Sequence, residues 1–150
     1  MQIVDIGLKA ISPAVNDPST TISCVDQLSR VLIRFASREG PSPLLCDPAG
    51  VARVSIMWSN FGRMLDSAFE QIRLYSQTDI AVSLRMMRAL GDVGVTLPDP
   101  EDRRTLVERG RRIVTGCAEK LGEQEMKELR ARLVGLEKLV VGHSPQLDQK

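Results

Sequence analysis

The stretch SPAVNDPST, Ser12 to Thr20, decides how the rest of the chain is read. It is dense in turn formers and closes on Asp17-Pro18. A residue before proline is driven out of the helical region, which is the backbone an N-cap needs. Proline in turn is tolerated at the first helical position, where its missing N–H has no partner to lose. A helix therefore starts at Pro18. Its apolar positions Ile22, Val25, Leu28, Val31, Leu32 and Phe35 keep a spacing of three and four and predict an inward face, and the pattern stops at Glu39-Gly40-Pro41. On the other side of the turn, residues 3–11 (IVDIGLKAI) place apolar side chains nearly all round a helix, with Asp5 and Lys9 as a polar stripe. Such a helix expects burial. It opens abruptly at Met1, without cap or loop, and reads as an element whose first turns are missing.

Helical signals recur downstream. Helix three is expected from Ser59 or Asn60, with Phe61, Met64, Leu65, Ala68, Phe69, Ile72 and Tyr75 on one broad face. Asp79 caps helix four, whose Ile80, Ala81, Leu84, Met87 and Leu90 point inward, and the short link predicts that helices three and four are antiparallel neighbours. Asp99-Pro100-Glu101-Asp102 repeats the Asp-Pro start and adds acidic residues where the helix dipole favours them. Helix five then gathers Leu106, Val107, Gly110, Ile113, Val114, Cys117 and Leu121 in one arc. Helix six, from about Glu123, carries a narrow seam of Met126, Leu129, Leu133, Leu136 and Val140 at coiled-coil spacing. That seam pairs with helix five or with another subunit, and a homodimer is expected. Glu123 with Lys127 and Glu128 with Arg132 stand four apart on the opposite, solvated face. Residues 41–57 break the helical period and read as a β-hairpin around Asp47-Pro48-Ala49-Gly50, which is marginal alone and is expected to lie against the helices. The fold class is thus all-α: one domain over residues 1–142, a bundle of about six helices with a small β-hairpin between helices two and three, then a flexible tail over 143–150.

Composition agrees and excludes several functions. A chain of 150 residues can bury a core without disulfides or metal. Twenty basic against nineteen acidic residues leave a net charge of +1, and the arginines are interleaved with acids along the chain, so no nucleic-acid partner is expected. Cys24, Cys46 and Cys117 are scattered and odd in number, neither a disulfide framework nor a metal spacing, and a reducing compartment is the simplest reading. The single histidine, His143, sits in the polar tail. No run approaches a membrane span, and no signal peptide begins the chain.

The residues also carry a resemblance. Val4-Asp5-Ile6, Ala10, Ser12-Pro13, Asn16-Asp17-Pro18, Thr20, Asp26 and Leu28 resemble the signature of domain of unknown function 2254, a family of predicted bacterial membrane proteins. Ala68-Phe69-Glu70-Gln71-Ile72-Arg73, Tyr75 and Ala81-Val82-Ser83-Leu84 are similar to its later stretch. The resemblance covers roughly residues 2 to 90; Ala14 stands where the family has glycine, and Gly7 where it has alanine. It implies a membrane-spanning portion preceding this domain, hence a parent protein in the inner membrane; the unpaired cysteines, not the resemblance, favour its cytoplasmic side for this domain. The resemblance implies no activity.

Two constellations are candidates for chemistry. Ser12, Asn16, Asp17, Ser19, Thr20 and Thr21 gather hydroxyls, an amide and a carboxylate at a helix N-terminus, where free N–H groups receive anions. The competing reading is that Asp17 is only a cap, Asn16 shapes the turn and the hydroxyls satisfy local backbone, and Asp17 would itself repel an anion. Gln71 and Arg73 on helix three would join that site if the helix packs beside the turn. Against this, Glu70 and Arg73 are three apart and suit a surface pair, and Tyr75 suits a core-edge ring with its hydroxyl in water. The tentative ligand-binding set is Ser12, Asn16, Asp17, Thr20, Thr21, Gln71 and Arg73. No catalytic residue, metal ligand or cofactor motif is identified, because no nucleophile elbow, phosphate loop or zinc motif is present. The preferred function is an interaction and assembly domain of a membrane protein. The alternatives are a module sensing a small anion or metabolite at the Ser12–Thr21 turn, and a hydrolase of unrecognised kind.

Overall fold

A computed structural model describes residues 2–37, 44–55 and 60–141. Among them are six helices and one hairpin: α1 (Gln2–Ile11), α2 (Pro18–Ala36), β1 (Leu44–Cys46), β2 (Ala52–Ser55), α3 (Phe61–Tyr75), α4 (Ile80–Gly94), α5 (Pro100–Cys117) and α6 (Glu123–Val141). The starts fall where polar caps sit. Asp17 accepts from Thr20 N at 3.1 Å, Asn60 from Arg63 N at 2.9 Å, Asp79 from Val82 N at 2.9 Å and Asp99 from Glu101 N at 2.9 Å. Each satisfies a helical N–H that has no partner within its own helix.

Helix α4 is the pillar of the bundle. It packs on α2, α5 and α6, and its Val82, Met86, Met87, Ala89, Leu90 and Val93 are buried. Its link to α3 is short, and Leu65 and Phe69 of α3 face the same small cavity as Leu90 and Met86 of α4, although α4 packs more extensively on α2 and α6. The helix also runs past Gly91 to Gly94. Val93 is fully buried and Gly94 lies against Leu106 and Leu139, and that packing overrides the weak helix propensity of glycine.

At one end, α1 lies in the trough between α2 and α3. The backbones approach closely at Gly7, where a Cβ would stand 3.3 Å from the Cys24 Cβ and 3.4 Å from the Ile72 Cδ1. Only one side of α1 is buried, through Val4, Gly7, Ala10 and Ile11, while Ile6 is exposed, so the expected all-round burial does not occur. At the other end, α6 lays its seam on α5 and α4. Met126, Leu129 and Leu136 are buried, so of the two partners expected for that seam the chain uses its own. Of the two ion pairs expected along α6 neither forms; Glu137 pairs instead with Arg111 of α5 at 2.8 Å. Helix α5 ends at Cys117, one turn before Leu121.

The hairpin is antiparallel, with Leu44 opposite Ser55, Leu45 opposite Val54 and Cys46 opposite Ala52. It does not lie against the helices among the described residues, contrary to expectation. Its turn is held from within. The Asp47 carboxylate accepts from Ala49 N, Val51 N and Arg53 Nε at 2.9–3.0 Å, and Gly50 takes the left-handed φ of 80° that the turn demands. The tail over 143–150, with His143, lies outside the described residues, as do the ends of the expected hairpin at 41–43 and 56–57.

Candidate functional site

The turn between α1 and α2 is built as a closed hydrogen-bonded unit. Asn16 adopts φ 50°, a left-handed conformation that asparagine tolerates, and thereby reverses the chain so that Asp17 N reaches Ala10 O at 2.7 Å. Ser12 donates its hydroxyl to Lys9 O at 2.7 Å, and its own carbonyl accepts from Asn16 N at 2.8 Å. The Thr20 hydroxyl donates to Asp17 Oδ2 at 2.6 Å while Thr20 N donates to Oδ1. Those two bonds, the hydroxyl first, hold the Asp17 carboxyl below its ordinary range. Thr21 is fully buried and donates to Gly7 O at 3.2 Å, tying α2 to the backbone of α1. Ser12, Asn16, Asp17, Thr20 and Thr21 are therefore together, but the side chains of Ser12, Asp17, Thr20 and Thr21 are engaged with one another and with backbone, Asn16 is exposed, and a carboxylate already occupies the helix N-terminus.

Gln71 and Arg73 are elsewhere in the hydrogen-bond pattern. Gln71 is exposed, and Arg73 forms a two-pronged pair with Glu70, at 2.9 and 2.8 Å, while its Nη1 reaches Arg112 O of α5. Among the described residues no hydrogen bond or ion pair links either side chain to the turn. Arg73 instead belongs to a ladder of charge between α3 and α5. Asp66 takes Arg109 at 2.6 and 2.9 Å, one turn before the Glu70–Arg73 pair. Arg73 above all, then Arg112 and Arg109, hold the Glu70 carboxyl below its ordinary range. Sequence reasoning missed Asp66 and Arg109; the signal was two carboxylates four apart on α3, each within reach of arginines on its own helix or on α5. Tyr75, expected on the inward face of helix three, is exposed instead.

A second missed feature is an apolar trough of about 560 Å³ where α1, α2 and α3 meet. Ile3, Leu28, Val31 and Met64 line it, with Arg63 and Ser67 at its border. The cause is visible along α2. Cys24 is covered by Gly7 of α1, and the same stripe continues through Leu28 and Val31, which share the trough with Ile3 and Val4 of α1, to Phe35 farther along α2. Val31 is 53% and Phe35 38% exposed, so two residues of the expected inward face of α2 point out.

Remaining chemistry is sparse. Cys24 and Cys117 are buried thiols, burial pushes the Cys24 thiol up, and Cys46 is exposed and free. Among the described residues no cluster of His, Cys, Asp and Glu is suited to a metal ion, and no helix is long and apolar enough to cross a membrane.

Comparison with known proteins gives the context. The model of a family described as predicted membrane protein, DUF2254, matches residues 1–92. The chain belongs to this family. Uncharacterized proteins of Mycobacterium tuberculosis and Mycobacterium bovis are 36% identical to it over 102 residues, 68% of this chain. The match spans one-fifth (20%) of those relatives' length. No solved structure matches. The family's function is unknown, and the match takes in α1 to α3 and most of α4, and with them the turn, the trough and the α3 half of the charge ladder.

Proposed function

We propose that this chain is an interaction and assembly module of a bacterial membrane protein, acting through the trough between α1, α2 and α3. The observation that carries the reading is the continuous apolar stripe of α2, buried under α1 at Cys24 and left uncovered at Val31 and Phe35. A contiguous apolar surface bordered by polar groups marks a contact site rather than ordinary surface. In the parent protein the module couples to the membrane-spanning part and sits on the cytoplasmic side of the inner membrane, a placement favoured by the exposed free thiol of Cys46.

A homodimer is a second proposal, on changed footing: the α6 seam is used within the chain, and the trough is the surface left for a second copy that this reading favours. Sensing of a small anion at the Ser12–Thr21 turn, with or without Gln71 and Arg73, is the other reading, and a hydrolase the weakest. Two measurements test the module. Sedimentation velocity at tens of micromolar detects a second copy, and flotation with lipid vesicles detects a membrane surface. A strict monomer that also ignores membranes retires the module, and a rise in melting temperature with inorganic phosphate would then favour the sensor.

A further inference from the structure

The border of the trough is basic. Arg63 lines it, and Arg34 lies about 60° round α2 from Val31, with Arg30 one turn earlier along the same edge. Several arginines elsewhere find carboxylates: Arg53 with Asp47, Arg73 with Glu70, Arg85 with Asp26, Arg88 with Asp92, Arg104 with Glu101, Arg109 with Asp66 and Arg111 with Glu137, whereas Arg112, Arg130 and Arg132 form no ion pair among the described residues. Among the described residues no carboxylate pairs with Arg30, Arg34 or Arg63, and no acidic side chain lines the trough. An apolar strip edged by unpaired arginines is the pattern of a surface that rests on anionic lipid. The apolar side chains enter the acyl boundary, while the long arginine stems lie along it with their guanidinium groups at the phosphates. Two copies brought face to face on this strip would instead set arginine against arginine, which disfavours a second copy as the occupant.

We propose that the α1–α2–α3 trough and its arginine border dock on an anionic phospholipid bilayer, holding the module flat against the membrane. This rests on the reading of the chain as an interaction module and names the partner of that same surface. Anionic membranes attract each such cation by roughly a fivefold gain in partitioning, and salt weakens the attraction.

The test is flotation of the chain with phosphatidylcholine vesicles, with and without phosphatidylserine. The expected result is association with the anionic vesicles only, weakened by salt, abolished by Val31→Glu and reduced roughly fivefold by Arg63→Gln. Both positions are exposed, so both variants fold, and circular dichroism melts verify it. Val134→Glu, at an exposed apolar site on α6, controls for nonspecific attraction and leaves binding unchanged. Failure to bind anionic vesicles overturns the proposal, as does binding that Val31→Glu and Arg63→Gln leave intact. If vesicles are ignored while Val31→Glu dissolves a dimer seen by sedimentation, the lipid proposal fails and the module reading stands. A monomer that ignores vesicles sinks both.

Discussion

Asp17 shows how much one side chain can be asked to do. Its carboxylate takes the Thr20 N–H and the Thr20 hydroxyl, so the position is a cap by every bond it makes. Asp17→Ala should lower the melting temperature, because the α2 N-terminus loses its acceptor. Asp17→Ser should be nearly silent in a thermal melt, since a serine oxygen accepts the same N–H. Equal phosphate response in wild type and Asp17→Ser would leave the residue no role beyond the cap. Glu70 makes a different prediction, through pH. Its carboxyl is held below the unfolded value by Arg73, so the stabilisation is present above that unfolded value, about 4.3, and is lost as pH falls through the folded one. Glu70→Gln should lower stability near neutral pH by about 1 kcal/mol, and its melting curve should converge with wild type in strong acid. A gap constant across pH would mean that packing, not charge, was lost.

At the scale of elements, the joint between α5 and α6 turns on Gly110. A Cβ there would meet Leu136 Cδ2 at 2.9 Å and Leu133 Cδ1 at 3.1 Å, both ends of side chains that can swing aside. Gly110→Ala should therefore stay within about 1 kcal/mol of wild type, the better helix propensity offsetting the squeeze. Gly110→Val adds two methyl groups that the Leu133, Leu136 and Met87 contacts cannot all accommodate, and should lose about 1–3 kcal/mol. Urea denaturation of both variants distinguishes the cases, and a silent Gly110→Val would mean that α6 is not seated as described. The same joint explains the fate of the α6 seam: a stripe wide enough for one partner was satisfied by α4 and α5 of its own chain.

For the whole molecule, one core joins residues from every helix except α1's outer face, running from Ile11 and Val25 through Leu65, Met86 and Leu90 to Leu106, Leu129 and Leu136. Truncation at its far end should be felt throughout. Leu129→Ala, at a fully buried site, should lose about 2–5 kcal/mol in a single transition seen alike by circular dichroism and calorimetry. Separate transitions for α1–α4 and α5–α6 would divide the domain in two. Much of this architecture was legible in the sequence, because caps and helical periodicity are local: Asp17-Pro18, Asp79 and Asp99-Pro100 mark the starts of α2, α4 and α5 wherever those helices later pack. The family signature was legible for the same reason. What sequence could not supply was the choice of neighbour. An apolar position on a helix states that a side chain avoids water, without naming what covers it, so Val31 and Phe35 read like Val25 and Leu32. Only the tertiary arrangement, in which α1 buries the stripe at Cys24 and covers it less farther along, decided that the first pair faces outward and that Val31 lines a trough. Likewise Arg73 was drawn toward α5 and Glu70 rather than the turn, because the relative placement of helices fixes which charges meet.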